Sequence, residues 1–227
     1  RNKIIQTMRE FLVKNNFIEV ETPILQPIYG GTSAKPFKSF LNNLQMDVYM
    51  RISNELYLKR LITGGYEKIF EFSQDFRNEG IDTTHNPEFL QMETMWAYAN
   101  YEDNMKFTEE MIEYIAKKVF GKTKFVFKDN EIDVKKPFTK ISMVDAIKKY
   151  LKIDVNKLNE SGIREILEKN KIEHDDNVSW GFGVALLFEE LVEDKLIQPT
   201  ILYDYPVETS PLAKIKKTDK RFVERFE

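Results

Sequence analysis

Apolar positions recur at helical spacing at Ile4, Ile5, Met8, Phe11 and Leu12, with charged residues between them, and they predict an amphipathic helix. Asn15-Asn16 ends it, and the period then changes. In "FIEVETP", Phe17, Glu19 and Glu21 alternate with Ile18, Val20 and Thr22, which predicts a strand stopped by Pro23. "YGGTSAKPF" (29–37) predicts a flexible loop, because Gly30-Gly31 permits backbone conformations that other residues avoid. "NELYLKRLITGG" predicts a short helix with Leu58, Leu61 and Ile62 inward and Gly64-Gly65 as its cap.

Two strands follow, "EKIFEFSQDFRNE" and "EFLQMETMWAYAN", joined by a loop that opens at Gly80, and this spacing predicts an antiparallel pair. Met105, Thr108, Met111, Ile112, Ile115 and Val119 form a helical stripe that ends near Gly121. "FVFKDNEIDV" predicts a hairpin turning at Asp129-Asn130, and Ser142 with Asp145 predicts a capped helix start. The helical pattern continues over 141–196, strongest at 161–169 and 183–195. "PTILYDYPVETSPLAK" predicts a strand and then a proline-bounded loop.

Composition narrows the classes. The chain has 227 residues, 42% hydrophobic and 13% aromatic, which supplies material for a large folded core rather than a disordered tail. With no cysteine it has no disulfide, thiolate metal site or thiol nucleophile, and it fits a reducing cytosol. No run approaches the roughly 18 apolar residues of a membrane-spanning helix. The balance of 34 basic against 37 acidic residues argues against a stand-alone nucleic-acid binder. The chain opens directly into a helix, as a piece of a longer protein would.

Candidate chemistry gathers around "FRNEGIDTTHNPEF" (76–89). If the first strand runs through it, Asp75, Arg77 and Glu79 share a face; on the second strand Phe89, Gln91, Glu93 and Met95 share one, with Leu90, Met92, Thr94 and Trp96 on the other. Glu93 stands among large side chains and needs a cation, either an internal partner such as Arg77 or Lys59, or a ligand. Arg77 offers a planar fork suited to phosphate or carboxylate, His85 can meet a polyphosphate, and Phe89 can stack on a base. Glu55 and Glu93 could each hold an amine. Together these residues describe a site for an anionic ligand that carries an aromatic ring.

The run "FRNEG…HNPEF..ME" resembles motif 2 of the class II aminoacyl-tRNA synthetases in its lysyl form, and "FIEVETPIL" resembles the end of motif 1. "GGTSAKPF", "ELYLKRLITGG", "AYANY" and "ETSPLAK" resemble lysyl-specific segments in the same order. The resemblance implies an α+β fold, an antiparallel sheet flanked by helices, incomplete in this chain and carrying a small helical insertion. By it, 1–140 would be catalytic core, 141–196 the insertion, and 197–227 a return to the core short of motif 3.

The resemblance also implies roles. Arg77 would bridge the ATP α-phosphate and the carboxylate of L-lysine. Glu79 and the backbone near Met92 would face the adenine edge, Phe89 its face and His85 the outer phosphates, with Asn86 also among the ATP-binding residues. Gly31 and Glu55 would take the lysine α-amino group and Glu93 its ε-ammonium. No metal ligand is expected within this chain; the Mg2+ ligands and the second ATP arginine are expected beyond Glu227, and an anticodon-binding domain upstream. Partners would be ATP, L-lysine and tRNA(Lys), in a cytoplasmic homodimer without membrane attachment. Two positions depart from the pattern: Thr84 stands where a basic residue is usual, and Met95 where a tyrosine is. Two other readings remain: a paralogue that attaches a lysine-like amino acid to a protein, which "GGTSAKPF" and "AYANY" disfavour, and a non-catalytic module for dimerisation or ligand sensing.

Overall fold

The computed structural model describes residues 1–210 and 212–227; the proline-bounded loop expected after "PTILYDYP" includes Pro211, which lies outside them. The chain forms two compact units, Arg1–Ala99 and Asn100–Glu227. Both mix helices with short sheets, and antiparallel pairing predominates.

In the first unit, α1 (Asn2–Lys14) buries Phe11 and Leu12 and ends where expected. The Asn15 side chain donates to the Phe11 carbonyl at 2.8 Å, and Asn16 takes a left-handed φ of 65°. Next come β1 (Ile18–Glu19), β2 (Leu25–Gln26), β3 (Lys38–Leu41), β4 (Met46–Met50), α2 (Glu55–Thr63), β5 (Lys68–Phe76) and β6 (Glu88–Trp96). β5 and β6 pair antiparallel from Lys68↔Trp96 to Phe76↔Glu88, and β1 adds a parallel edge to β5. β2, β4 and β3 make a second, antiparallel sheet that the hydrophobic pattern does not reveal.

Three expected strands are shorter in the structure. "FIEVETP" is not one strand, since only Ile18–Glu19 joins the ladder. Beyond the Val20 N–H, which reaches the Phe70 carbonyl at 2.9 Å, the chain turns to a side chain for its bonds: the Thr22 N–H and Oγ1 donate to Glu71 at 3.0 and 2.7 Å. The first strand of the pair also stops at Phe76, so Arg77 and Glu79 do not share a strand face with Asp75. The Arg77 N–H still reaches the Pro87 carbonyl at 2.8 Å, but the Glu79 N–H turns back to Arg77, and Asn78 bonds Lys35. The second strand stops at Trp96, and the left-handed Tyr98 (φ 64°) begins a turn.

In the second unit, α3 (Tyr101–Phe120) starts at an Asn100–Asp103 capping box and ends at Gly121. β7 (Lys124–Phe127) and β8 (Asn130–Asp133) form the hairpin, with Lys128 and Asp129 at its left-handed turn, one residue earlier than expected. Then follow β9 (Thr139–Ser142), α4 (Met143–Leu151), α5 (Glu160–Lys169), α6 (Trp180–Leu191), β10 (Thr200–Pro206) and β11 (Phe222–Phe226). Ser142 caps α4 by accepting from the Asp145 N–H at 3.2 Å. The last helix begins at Trp180 on a Ser179 cap rather than at 183, and 193–195 is a separate 3-10 turn. The core joins α4, α5 and α6 to Leu202 of β10 and Val223 of β11. Gly183 lets α6 approach α5 closely: a Cβ there would stand 2.3 Å from Ile163 Cγ2.

Candidate active site

The antiparallel β5–β6 pair carries the site at one end. The loop 77–87 that joins the two strands lines a cavity of about 550 Å³ with Arg77, Glu79, Asp82, Thr84, His85, Asn86 and Phe89 among its walls. Arg77, just past β5, is held by its own backbone bond to Pro87 and by a long contact from Nε to the Ile52 carbonyl, 3.4 Å. Its guanidinium lies over the Phe89 ring, 5.1 Å from the centroid. A guanidinium held over a ring face in this way can still offer N–H groups to an anion. The Glu79 carboxylate accepts from the Lys35 N–H at 3.3 Å, which ties the "GGTSAKPF" loop to this cavity.

Asp82 organises the exposed loop. Its carboxylate accepts from the backbone N–H groups of Thr84 and His85, each at 2.7 Å, and its second oxygen faces His85 Nδ1 at 2.7 Å. Bonding from Thr84, then from His85, holds the Asp82 carboxyl well below the usual range. Thr84, at the position expected to be basic, therefore ties the loop internally, with its hydroxyl 3.0 Å from Asp82. The Asn86 amide donates to the Glu88 carbonyl.

A second group of carboxylates lies along the same pair. Because direct partners across an antiparallel ladder project to one face, Glu71, Ser73 and Asp75 of β5 stand opposite Glu93, Gln91 and Phe89 of β6. Glu93 accepts from Gln91 Nε2 at 3.2 Å. Of the two alternatives for its cation, the internal ion pair is not formed. Among the described residues neither Arg77 nor Lys59 forms an ion pair with Glu93: Arg77 stacks on Phe89, and Lys59 pairs with Glu55 one turn back on α2. Burial first, then the charges of Glu55 and Asp75, push the Glu93 carboxyl up to about 7. Gly31 approaches this group from its own loop with φ +96°, and a Cβ there would stand 2.9 Å from Ser53 Oγ and 3.3 Å from Glu55 Cβ.

The structure thus brings Arg77, Glu79, His85, Asn86 and Phe89 around one cavity, and Gly31 beside Glu55. The Met92 side chain turns to the opposite face, where it lines a separate hollow with Ile4, Ile5 and Met8. Arg51, which sequence reasoning missed, supplies the cation that Glu93 lacks, but to other carboxylates: Nη1 donates to Glu71 at 2.8 Å and Nε stands 3.2 Å from Asp75. Burial raises the Asp75 carboxyl and Arg51 partly offsets it. A charge set inside the apolar run "VYMRIS" was the available signal.

The fold and this site define a mixed α/β domain with an arginine-lined cavity at the end of an antiparallel strand pair, and comparison with known proteins gives its family. The family model described as tRNA synthetases class II (D, K and N) matches residues 1–227, and the chain belongs to that family. It is 51% identical over 231 residues to a protein named lysine–tRNA ligase from Clostridium botulinum (strain Langeland), 49% over 228 residues to one of that name from Bacillus cereus (strain B4264), and 48% over 231 to one from Clostridium kluyveri. Each comparison covers 100% of this chain and 46% of the relative, so the chain spans about half the length of the curated relatives it matches.

Proposed function

We propose that this chain carries the lysine- and ATP-binding part of a lysine–tRNA ligase. The observation that carries the reading is the Arg77 guanidinium over Phe89 beside a cavity, with the Glu93 carboxylate, which forms no ion pair among the described residues, on the same strand pair. A ligand with an aromatic base, a polyphosphate and a primary ammonium matches those three features. The relatives' shared name favours this over a protein-modifying paralogue or a non-catalytic module.

In the proposed reaction a lysine carboxylate oxygen attacks the ATP α-phosphorus and pyrophosphate leaves, giving lysyl-adenylate. A ribose hydroxyl of tRNA(Lys) then attacks the carbonyl carbon and AMP leaves. No general base is needed for the first step, since the nucleophile is already ionised. Arg77 lets two anions approach, so catalysis is positioning and charge neutralisation. Phe89 would stack on adenine, with Glu79 and Asn86 beside it and the backbone at Met92 along its edge, and His85 would meet the outer phosphates. Gly31 and Glu55 would hold the α-amino group and Glu93 the ε-ammonium. A charged pocket end rejects shorter or uncharged side chains, because these leave Glu93 unpaired.

Among the described residues no group of three or more His, Asp or Glu side chains is arranged to hold a metal ion. No helix among them is long and apolar enough to cross a membrane. The proposal includes a cytoplasmic homodimer of class II architecture, with 141–196 as a helical insertion between 1–140 and 197–227. Testing it takes amino-acid-dependent ATP–pyrophosphate exchange by the full-length protein across all standard amino acids, followed by charging of tRNA. Exchange with lysine above all others is expected, and exchange with none, or with another amino acid instead, refutes it.

A further inference from the structure

Arg51 is buried, and the ligand contacts proposed above do not use it. Its guanidinium reaches several stretches of chain: Nη1 donates to the Thr22 carbonyl at 2.9 Å and to Glu71 at 2.8 Å, while Nε donates to the Gln74 carbonyl at 2.8 Å. The same Nε stands 3.2 Å from Asp75. Its backbone clasps the same strand end, since the Phe76 N–H donates to the Arg51 carbonyl at 2.9 Å. The next carbonyl, of Ile52, receives Arg77 Nε.

Around Glu93 the carboxylates outnumber the cations. Glu71 and Asp75 face it from β5, and Glu55 from α2, where Lys59 pairs with Glu55. Asp75 in turn is faced by Arg51, Glu71 and Arg77. Both Asp75 oxygens are fully buried without a well-directed hydrogen bond, so its compensation comes from the nearby Arg51 charge. Arg51 thus compensates Glu71 and Asp75, the two β5 carboxylates on the Glu93 face.

We propose that Arg51 is a positioning residue of the amine pocket: by taking Glu71 and Asp75 as its own partners and clasping the end of β5, it leaves Glu93 as the carboxylate that receives the ligand ammonium. This rests on the reading of the site as lysine-activating. Without the Arg51 charge, Glu71 and Asp75 stand uncompensated beside Glu93 and favour its protonated form, so an incoming ammonium must displace a proton over a wider pH range.

The test is lysine-dependent ATP–pyrophosphate exchange by the full-length protein, with KM for lysine and kcat measured near about pH 7 and about pH 8.5. Arg51→Gln should raise KM for lysine about fivefold at the lower pH and much less at the higher, the effect of moving a carboxyl at about 7 up by about one pKa unit. Adding Glu71→Gln to Arg51→Gln should restore most of the loss near neutrality. Arg51→Lys, which keeps the charge and loses the fork, should keep the wild-type pH profile, and it carries the test if Arg51→Gln does not fold. Parallel losses in kcat and lysine affinity at both pH values, without rescue, would mean a merely structural arginine and overturn the proposal. So would an unchanged KM in Arg51→Gln, or a shifted profile in Arg51→Lys. A wild-type protein without lysine-dependent exchange would instead refute the lysine-activating reading, and this proposal with it.

Discussion

Glu71 and Glu93 are direct partners across the β5–β6 ladder, yet only Glu71 has an arginine. Glu71 is saturated by Arg51, Thr22 and Asn54, whereas Glu93 has the amide of Gln91. Two like groups on one face thus differ: one is held by structural bonds, and the other is the one proposed to take a ligand cation.

Glu93→Gln tests that division. Lost charge-assisted bonding should raise KM for lysine roughly ten- to hundredfold, with a smaller effect on ATP. The wild-type carboxyl sits at about 7, above its ordinary 4.5, so the folded, ligand-free state holds this proton more tightly than the unfolded chain does. That contribution is complete below the ordinary value and is lost as pH rises through about 7. Lysine affinity should therefore rise over the same window, with proton release on binding. Calorimetry in buffers of different ionisation enthalpy measures that release, and Glu93→Gln should abolish it.

Phe89 and Arg77 can be separated. Phe89→Leu removes the stacking face and should weaken ATP by about 1–3 kcal/mol, read as a higher KM for ATP, while KM for lysine stays close to wild type.

Gly31→Ala introduces a Cβ at φ +96° against Ser53 and Glu55. Backbone strain of about 1–3 kcal/mol is expected. Because it falls beside Glu55, lysine affinity should drop further than ATP affinity; steady-state kinetics with each substrate varied checks this.

Arg51→Met strands Glu71 and Asp75 as buried charges without a cation, and the expected loss of stability is about 3–5 kcal/mol by denaturant titration. Replacing Arg51 and Glu71 together by apolar residues should cost less than that single change.

Legibility in the sequence followed locality. The end of α1 at Asn15-Asn16 and the Ser142 cap of α4 are decided within a few residues, and both were readable. The β5–β6 pair and the residues of its loop were readable too. The departure of Thr22 from its strand was not, because its acceptor, Glu71, lies 49 residues away. The β2–β4–β3 sheet hid behind the Pro- and Gly-rich stretch, although Asn42-Asn43 between "KSFL" and "MDVYM" marks a turn. The choice between an internal partner and a ligand for Glu93 was open for a similar reason: only the placement of α2 shows that Lys59 pairs with Glu55.

The most direct test of the account compares wild-type full-length protein with Arg77→Ala in lysine-dependent ATP–pyrophosphate exchange. Losing the fork that neutralises two approaching anions should lower kcat by about 100-fold or more, with the variant still folded by circular dichroism. A folded Arg77→Ala protein that exchanges at the wild-type rate would contradict the assignment of Arg77, and with it the account of this site.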